Sequence, residues 1–391
     1  AVDRASLPTA TYGRLIELTE HLWAQLIDRW ETPIVNDIFV MMASGKLRRF
    51  LTDHFGKEEA EALWVDLVRG EQGIESLEPV RRLLRVAARI RGSGALVATL
   101  MAGDATEALA NVRAASAEID ADVRDWLERY GDRAMGELKL ETRSLREDPG
   151  YVARVLRNYV SGPALDPDAM AKSDAEAQER ATRVVRERLP ATARNKFKRL
   201  LDDARRGIRY RENTRLARTR AFGLQRDIYL AMGRRLHEAG RLDAPRDVFY
   251  LTVDELRDYY EGTSVTAGLA ALVRVRKAEF AAYEKTPPPN HFETIGAVYH
   301  GNDLTTPANE SMGVQERVLR GTAASPGIVD ASLHVVMKPT DDIAIKGRIL
   351  TTLRTDPGWA PLFPGAAAIL VERGSTLSHS AILARELGIP C

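Results

Sequence analysis

Apolar residues recur at helical spacing from about Tyr12 to Ala282, with few of the alternations that indicate strands. The stretch from Glu107 runs to Gly131 without a helix-breaking residue. A leucine stripe at the start of this region consists of Leu15, Leu18, Leu22 and Leu26. We therefore predict a large helical domain over residues 1–285.

The longest periodic stretch is basic and amphipathic and runs from Asn195 to Gly240. Gly207 is a candidate interruption, and Gly240 stands where a C-terminal glycine commonly ends a helix. Neither a repeat of 30 to 50 residues nor a sustained heptad occurs, so the pattern favours a bundle-like domain.

The pattern changes after the helical region. Three consecutive prolines and a polar stretch predict a linker over residues 286–319. The short segments SLHVVMK, GRILTTL and AAAILVE then read as strands bounded by turn residues. We predict a small α/β domain over residues 320–391, incomplete on its C-terminal side. The expected fold class is thus mainly α, with a small α/β domain after the helices.

Charge and cysteine content narrow the class of protein. The 391 residues include 56 basic and 55 acidic side chains, giving a net charge of +1. That balance argues against a dedicated nucleic-acid or membrane-surface protein. The single cysteine fits the reducing cytoplasm, and no apolar run is long enough for a membrane span. The chain lacks an initial methionine, and we expect it to be a piece of a longer protein.

The chain closes with GSTLSHSAILARELGIPC, which follows the apolar run Ala366 to Val371. His379 is expected in the first turn of a helix that follows this strand and ends at Gly388. Backbone N–H groups and the helix dipole favour an anion there and keep the imidazole neutral and nucleophilic. A histidine that merely caps or packs the helix start is the alternative interpretation.

The stretch ERGSTLSHSAILARELGIP strongly resembles the phosphohistidine signature of the phosphoenolpyruvate-utilising enzymes. GTAASPGIVDASLHVV and GRILTTLRTDPGWAPLF resemble the start of the same swivelling domain. The resemblance implies that His379 carries a phosphoryl group between two sites. The residues expected to support the phosphohistidine are Gly374, Ser375, Thr376 and Ser378.

Two positions depart from the commonest pattern of the family, and the first of them bears on the branch. Leu377 stands where phosphoenolpyruvate synthase and pyruvate phosphate dikinase carry a threonine, and the rifampicin enzyme also has leucine there. Ser375 replaces a glycine that many members have. The resemblance therefore favours the rifampicin phosphotransferase branch over the synthase branch.

The helical region offers a candidate acceptor site in the sequence RENTR. Between Arg183 and Arg220 there are 14 basic and four acidic residues, which for most of them indicates a solvated face. Arg211 and Arg215 lie one turn apart, with Glu212 beside them. Two arginines could hold a phosphoryl group in transit, and the carboxylate could accept a proton from a hydroxyl.

Resemblance supports this assignment. ERYGDRAMGELKLETRSLREDP, RENTRLARTRAFG and PRDVFYLTVDEL resemble the domain between the ATP-binding and swivel domains of rifampicin phosphotransferase. The corresponding residues in that enzyme are Arg, Glu and Lys near the acceptor, and the lysine position is Arg215 here. We therefore expect His379, Arg211, Glu212 and Arg215 to be catalytic.

These observations predict one part of a multidomain ATP-dependent phosphotransferase. The resemblance implies ATP and Mg²⁺ for the full-length enzyme, an ATP-grasp domain missing from this chain, and a small-molecule acceptor. Neither a cofactor site nor a metal site is expected in this fragment, which alone is expected to be inactive. No nucleic acid and no membrane is expected as a partner. The alternatives are phosphoenolpyruvate synthase, a secondary-metabolite condensing ligase, and a binding or scaffold module without phosphoryl transfer.

Overall fold

The computed structural model describes residues 3–69, 73–75, 77–134, 136, 138–285, 318–337, 343–376 and 378–391. The fold is mainly helical, with a small parallel sheet near the C-terminal end. This confirms the predicted fold class. The predicted linker, residues 286–319, lies outside the described residues except for its last two positions.

Thirteen α-helices occur within the described ranges, numbered in chain order. They are α1 Tyr12–Leu22, α2 Glu31–Phe55, α3 Lys57–Val68, α4 Glu78–Arg91, α5 Gly94–Met101, α6 Ala105–Ala115, α7 Ala117–Tyr130, α8 Pro149–Ser161, α9 Pro167–Arg188, α10 Ala191–Glu238, α11 Val253–Glu261, α12 Leu269–Lys285 and α13 His379–Leu387. Short 3-10 segments cover Arg4–Thr9, Pro245–Tyr250 and Pro357–Gly365, and a π-helical turn covers Trp23–Ile27.

The stretch from Glu107 to Gly131 is divided between two helices, although it contains neither glycine nor proline before Gly131. Ser116 has an extended backbone, with φ −145° and ψ 109°, and ends α6. Its hydroxyl accepts a hydrogen bond from the N–H of Ile119 and so caps the start of α7. A serine that bonds to the backbone locally favours a helix start over a helix interior. The prediction of an unbroken segment was wrong for this reason.

Gly207 does not interrupt α10, which continues for 48 residues. A Cβ atom at Gly207 would lie 3.1 Å from both Cα and Cβ of Val40 in α2. The glycine therefore serves a close approach of two helices rather than a break. The end of α10 agrees with the sequence, since Gly240 follows it with φ +68°.

Three parallel strands form the sheet in the order β1-β2-β3: β1 Leu333–Val335, β2 Ile349–Thr352 and β3 Ala368–Val371. Each lies in one of the three segments that the sequence pattern predicted. Leu350 pairs in register with Ile369, and both side chains are buried. Parallel strands need such covered apolar faces because their connections run over the sheet.

The described chain divides into two compact units. The first comprises residues 1–4, 17–228 and 323–391, and the second comprises residues 5–16 and 229–322. In the first unit a single apolar core joins side chains of helices α2 to α10 to those of the sheet and α13. The predicted domain boundaries remain predictions.

The 3-10 segment Pro357–Gly365 packs against α8 within the first unit. Its side chains Trp359, Leu362 and Phe363 are buried in the shared core. Three polar side chains of α8 donate hydrogen bonds to backbone carbonyls of the C-terminal part: Tyr151 to Gly358 (3.1 Å), Asn158 to Ile343 (2.6 Å) and Tyr159 to Pro361 (2.6 Å). Buried polar groups need such partners, so these bonds fix where the sheet lies on the helices.

Asp356 begins the same 3-10 segment and links it to the helical part. Its carboxylate accepts hydrogen bonds from the N–H of Gly358 at 2.9 Å and from the N–H of Gly136 at 2.5 Å. Burial raises the pKa of Asp356 to about 6 and outweighs the opposing effects of both bonds and of nearby Arg133 and Arg354. Folding therefore disfavours the charged form of Asp356 relative to the unfolded chain.

Asp356 should give folding stability a specific pH dependence. Because its pKa is raised on folding, its contribution is largest below its ordinary pKa of 3.8 and is lost as pH rises to about 6. The side chain keeps some solvent contact, so about 3 kcal/mol is an upper bound for the loss. Urea unfolding of wild type and Asp356→Asn from pH 4 to 7 measures it. A stability difference that stays constant with pH would contradict the assignment.

Two glycines inside helices should respond oppositely to alanine. A Cβ at Gly45 in α2 meets nothing within 4 Å, so Gly45→Ala should stabilise by about 1 kcal/mol through helix propensity. A Cβ at Gly233 in α10 would lie 2.0 Å from the carbonyl oxygen of Pro245, so Gly233→Ala should destabilise by about 1–3 kcal/mol. Urea unfolding of both variants tests the pair, and equal signs would contradict the packing.

Candidate functional site

His379 is the first residue of α13, shortly after β3. Ser378 caps this helix, since its hydroxyl accepts a hydrogen bond from the N–H of Ala381 at 3.3 Å. The N–H of Ser378 in turn donates to the carbonyl of Ser375 at 2.8 Å, which closes the turn ahead of the helix. Gly388, with φ +65°, ends α13 as the sequence predicted. These hydrogen bonds therefore fix His379 as the first residue of α13.

The ring of His379 contacts Glu212 of α10. His379 Nδ1 and Glu212 Oε2 are 3.0 Å apart, and the side chains are only 2% and 0% exposed. An ionised carboxylate only accepts hydrogen bonds, so Nδ1 carries the hydrogen and donates it. Two candidate residues that are 167 positions apart in the sequence thus form one buried pair.

Glu212 is held in its ionised form. Burial by itself raises the pKa of Glu212, but the hydrogen bond from His379 and the electrostatic effects of His379, Arg215 and Arg211 lower it to about 2. Opposite charges and hydrogen bonds to the charged form favour ionisation. The site therefore has a permanent acceptor for the Nδ1 hydrogen at neutral pH.

The two candidate arginines lie near this carboxylate. Arg211 donates from Nε to Asp37 Oδ1 of α2 at 2.9 Å. Burial lowers the pKa of Arg215, and the charge of Glu212 opposes that change. The structure thus brings Arg211, Glu212, Arg215 and His379 to one region within the first unit. Their catalytic roles remain predictions.

The other ring nitrogen, Nε2 of His379, is buried and has no hydrogen-bond partner among the described residues. A neutral imidazole with hydrogen on Nδ1 has its lone pair on Nε2. The geometry thus distinguishes the two nitrogens, with Nδ1 engaged and Nε2 available for bond formation.

The sequence predicts that four residues ahead of His379 support the phosphohistidine. Gly374 and Ser375 are exposed, and Ser378 caps α13. Thr376 is bonded on two sides: its hydroxyl accepts from Arg48 Nη1 at 3.4 Å and its carbonyl accepts from Arg385 Nη1 at 3.0 Å. Thr376 thus connects this loop to a side chain of α2.

Sequence reasoning did not find Arg48, Arg385 and Asp37. Arg385 is 4% exposed, and it lies inside the quoted motif at a position that predicts an ordinary helix residue. Arg48 and Asp37 belong to α2, far from both motifs in the sequence. No local pattern marks them, because their contacts arise only when α2 packs beside α10 and the loop.

Among the residues the structure describes, no group of three or more His, Cys, Asp or Glu side chains could hold a metal ion. None of the described helices is long and apolar enough to cross a membrane.

Comparison with known families gives two matches. Residues 34–212 match the family described as "Rifampicin phosphotransferase fourth domain", and residues 344–391 match "PEP-utilising enzyme, mobile domain". The first match ends at Glu212 and the second contains His379. The chain belongs to the phosphoenolpyruvate-utilising enzyme family. The first match begins at residue 34, well upstream of the helical motifs quoted above, which begin at Glu128.

Individual relatives agree with this family. A rifampicin phosphotransferase of Streptomyces sviceus is 30% identical over 293 residues, which cover 73% of this chain and 33% of the relative. A second rifampicin phosphotransferase, from Streptomyces sp, is 34% identical over 283 residues, 69% of this chain and 31% of the relative. The prodigiosin synthesizing transferase of Serratia marcescens is 30% identical over 278 residues, 69% of this chain and 30% of the relative. The chain thus spans about a third of the length of these relatives of the phosphoenolpyruvate-utilising family.

The contact with Glu212 should fix the tautomer of His379. Glu212→Ala removes the acceptor, so we expect the neutral ring to change from hydrogen on Nδ1 to a mixture with hydrogen on Nε2. Nitrogen-15 NMR of histidine-labelled protein, at a pH where imidazole is neutral, measures this. His54, whose Nδ1 is 2.8 Å from the carbonyl of Phe50, is an internal control that should not change. An unchanged tautomer of His379 would contradict the geometry.

Proposed function

We propose that the chain is part of a multidomain ATP-dependent phosphotransferase in which His379 carries a phosphoryl group to a small-molecule acceptor. The observation that carries this proposal is the buried contact between His379 and Glu212. It joins a residue in the region matched as a mobile domain to one in the region matched as a rifampicin phosphotransferase domain. The proposed acceptor site lies on the helices at this junction.

The reaction uses the two ring nitrogens differently. Glu212 accepts the hydrogen of Nδ1 at 3.0 Å, so the lone pair of Nε2 is the nucleophile. A nitrogen–phosphorus bond forms at Nε2 when the phosphoryl group arrives, and the bond to its previous oxygen breaks. In the second step an acceptor hydroxyl attacks phosphorus, the nitrogen–phosphorus bond breaks, and the electron pair returns to Nε2.

The charged neighbours have complementary roles in this proposal. Arg211 and Arg215 stabilise the negative charge of the phosphoryl group in transit. Glu212 orients the imidazole through Nδ1, and a strongly acidic carboxylate is a weak general base. We therefore assign ring orientation as its main role, beside the predicted role of accepting the hydroxyl proton.

ATP and Mg²⁺ enter through another part of the protein in this proposal. The described residues contain no cluster that could hold a metal ion, and this chain spans about a third of its relatives. We propose that an ATP-grasp domain elsewhere in the full-length enzyme supplies the phosphoryl group, and that this chain alone does not complete a cycle. We also propose a cytoplasmic location, which the single cysteine fits.

The acceptor follows from the chemistry of the relatives. Rifampicin phosphotransferases are among the proteins to which this chain is similar, so a hydroxyl of an antibiotic-type molecule is the first candidate. The similarity to a prodigiosin synthesizing transferase supports a second candidate, in which phosphoryl transfer activates a substrate for condensation. Both candidates use the same phosphohistidine.

Substitution of His379 tests the proposal. The full-length protein, incubated with Mg²⁺ and ATP labelled at the β-phosphorus, should acquire acid-labile and base-stable label. His379→Ala should remove at least about 99% of this label, because it removes the nitrogen that forms the bond to phosphorus in this proposal. The measurement is radioactivity retained on the protein after alkaline gel electrophoresis.

His21→Ala is the matched control, since His21 is an exposed histidine on α1. It should label like wild type. Label that survives His379→Ala, or no label on any variant, would overturn the phosphohistidine proposal. A binding or scaffold module without phosphoryl transfer would then be the better interpretation.

A further inference from the structure

The loop ahead of His379 is contacted from the helical part by Arg48 of α2. We propose that Arg48 is a positioning residue that holds this loop at Thr376, so that His379 meets Glu212. The inference rests on the proposed function, because holding the loop matters only if His379 also has to reach a second site.

Arg48 is preset by contacts that do not involve the loop. Its Nη2 lies 2.6 Å from Glu61 Oε2, and its guanidinium carbon lies 5.1 Å from the ring centroid of Trp64. Both partners belong to α3, and the indole is fully buried. An ion pair and a cation–π contact together restrict a long side chain that would otherwise be mobile. The guanidinium is thus in place whether or not the loop is present.

The third contact of Arg48 reaches the loop. Nη1 donates to the hydroxyl of Thr376 at 3.4 Å, and the two residues are 328 positions apart. Arg385 of α13 donates to the carbonyl of Thr376. Burial is the main cause that lowers the pKa of Arg385, and the positive charge of nearby Arg48 lowers it further. Thr376 therefore accepts hydrogen bonds from Arg48 of α2 and from Arg385 of α13.

Restraint at Thr376 is passed to His379 through a short, bonded path. Ser375 accepts from the N–H of Ser378, and Ser378 caps α13, whose first residue is His379. The two hydrogen bonds each join residues three positions apart, so the loop moves with the helix start. Arg48 itself touches Thr376 rather than the ring, which makes it a positioning residue and not a catalytic one.

The contact can operate in only one of the two positions that the proposed function requires. Arg48, Glu61 and Trp64 lie in the region matched as a rifampicin phosphotransferase domain, and Thr376 lies in the region matched as a mobile domain. When His379 leaves Glu212 to be phosphorylated at the other site, Thr376 also leaves Arg48. A phosphoryl group on His379 adds about two negative charges next to the loop. Arg48 should therefore favour the position in which phosphorylated His379 lies beside Glu212.

Chemical modification of His379 measures how often the loop is held. In the full-length protein, we would follow carbethoxylation of unphosphorylated His379 by diethyl pyrocarbonate, using mass spectrometry of its peptide. His379 is 3% exposed when it meets Glu212, so it should react slowly in wild type. Arg48→Met keeps an unbranched stem beside Trp64 and removes the charge and donors. It should raise the reaction rate about 5- to 10-fold, the size expected for one lost hydrogen bond.

The second readout is the initial rate of labelling from ATP labelled at the β-phosphorus. A loop that is released more often reaches the site of phosphorylation by ATP more often. Arg48→Met should therefore also label faster than wild type. A structural defect would change labelling in the opposite direction. Arg48→Lys, which restores the charge but not the guanidinium fork, should lie between wild type and Arg48→Met in both measurements.

Arg49→Met is the matched control, because Arg49 is the next residue on α2 and is exposed. It should behave like wild type in both measurements. Wild-type reactivity of His379 in Arg48→Met would overturn the inference, and so would faster carbethoxylation combined with slower labelling. Absence of label from wild type itself would instead overturn the proposed function, and the two failures are therefore distinguishable.

Discussion

The structure depends on one buried charge, the carboxylate of Glu212 in the middle of a 48-residue helix. A fully buried carboxylate without partners would cost several kcal/mol, so something must donate to it. His379 does so from a different segment of the chain, and Arg211 and Arg215 add positive charge from the same helix. The requirement to satisfy this group couples the start of α13 to α10, and hence the small sheet to the helices.

Features that arise from neighbouring residues could be predicted from the sequence. The three strands, the start of α13 at His379 and its end at Gly388 follow from local apolar runs and capping residues. The role of Gly207 could not be predicted, because a glycine inside a helix is explained by what packs against it. Here that is Val40 of another helix. Ser116 was overlooked because serine is compatible with both helix interiors and caps.

The candidate site shows the same division. His379 and Glu212 could be assigned because each lies in a recognisable motif, and the structure places their side chains 3.0 Å apart. Arg48 and Asp37 carry no motif and are ordinary charged residues of α2. Their importance depends on the packing of α2 against segments more than 170 residues away, as the contact of Arg211 with Asp37 illustrates. Periodicity reveals which face of a helix is buried, but it does not reveal which residue meets it.

The side chains of α8 that hold the C-terminal part bind only main-chain carbonyls. Backbone oxygens are present whatever the residue, so mutations in the segment that supplies them leave these three bonds available. The donors Tyr151, Asn158 and Tyr159 have no such freedom, because each bond requires its particular hydroxyl or amide. The residues that supply the carbonyls should therefore vary more among relatives than Tyr151, Asn158 and Tyr159 of α8. Domains of divergent relatives could then be exchanged across it more readily by keeping α8 than by keeping its partner.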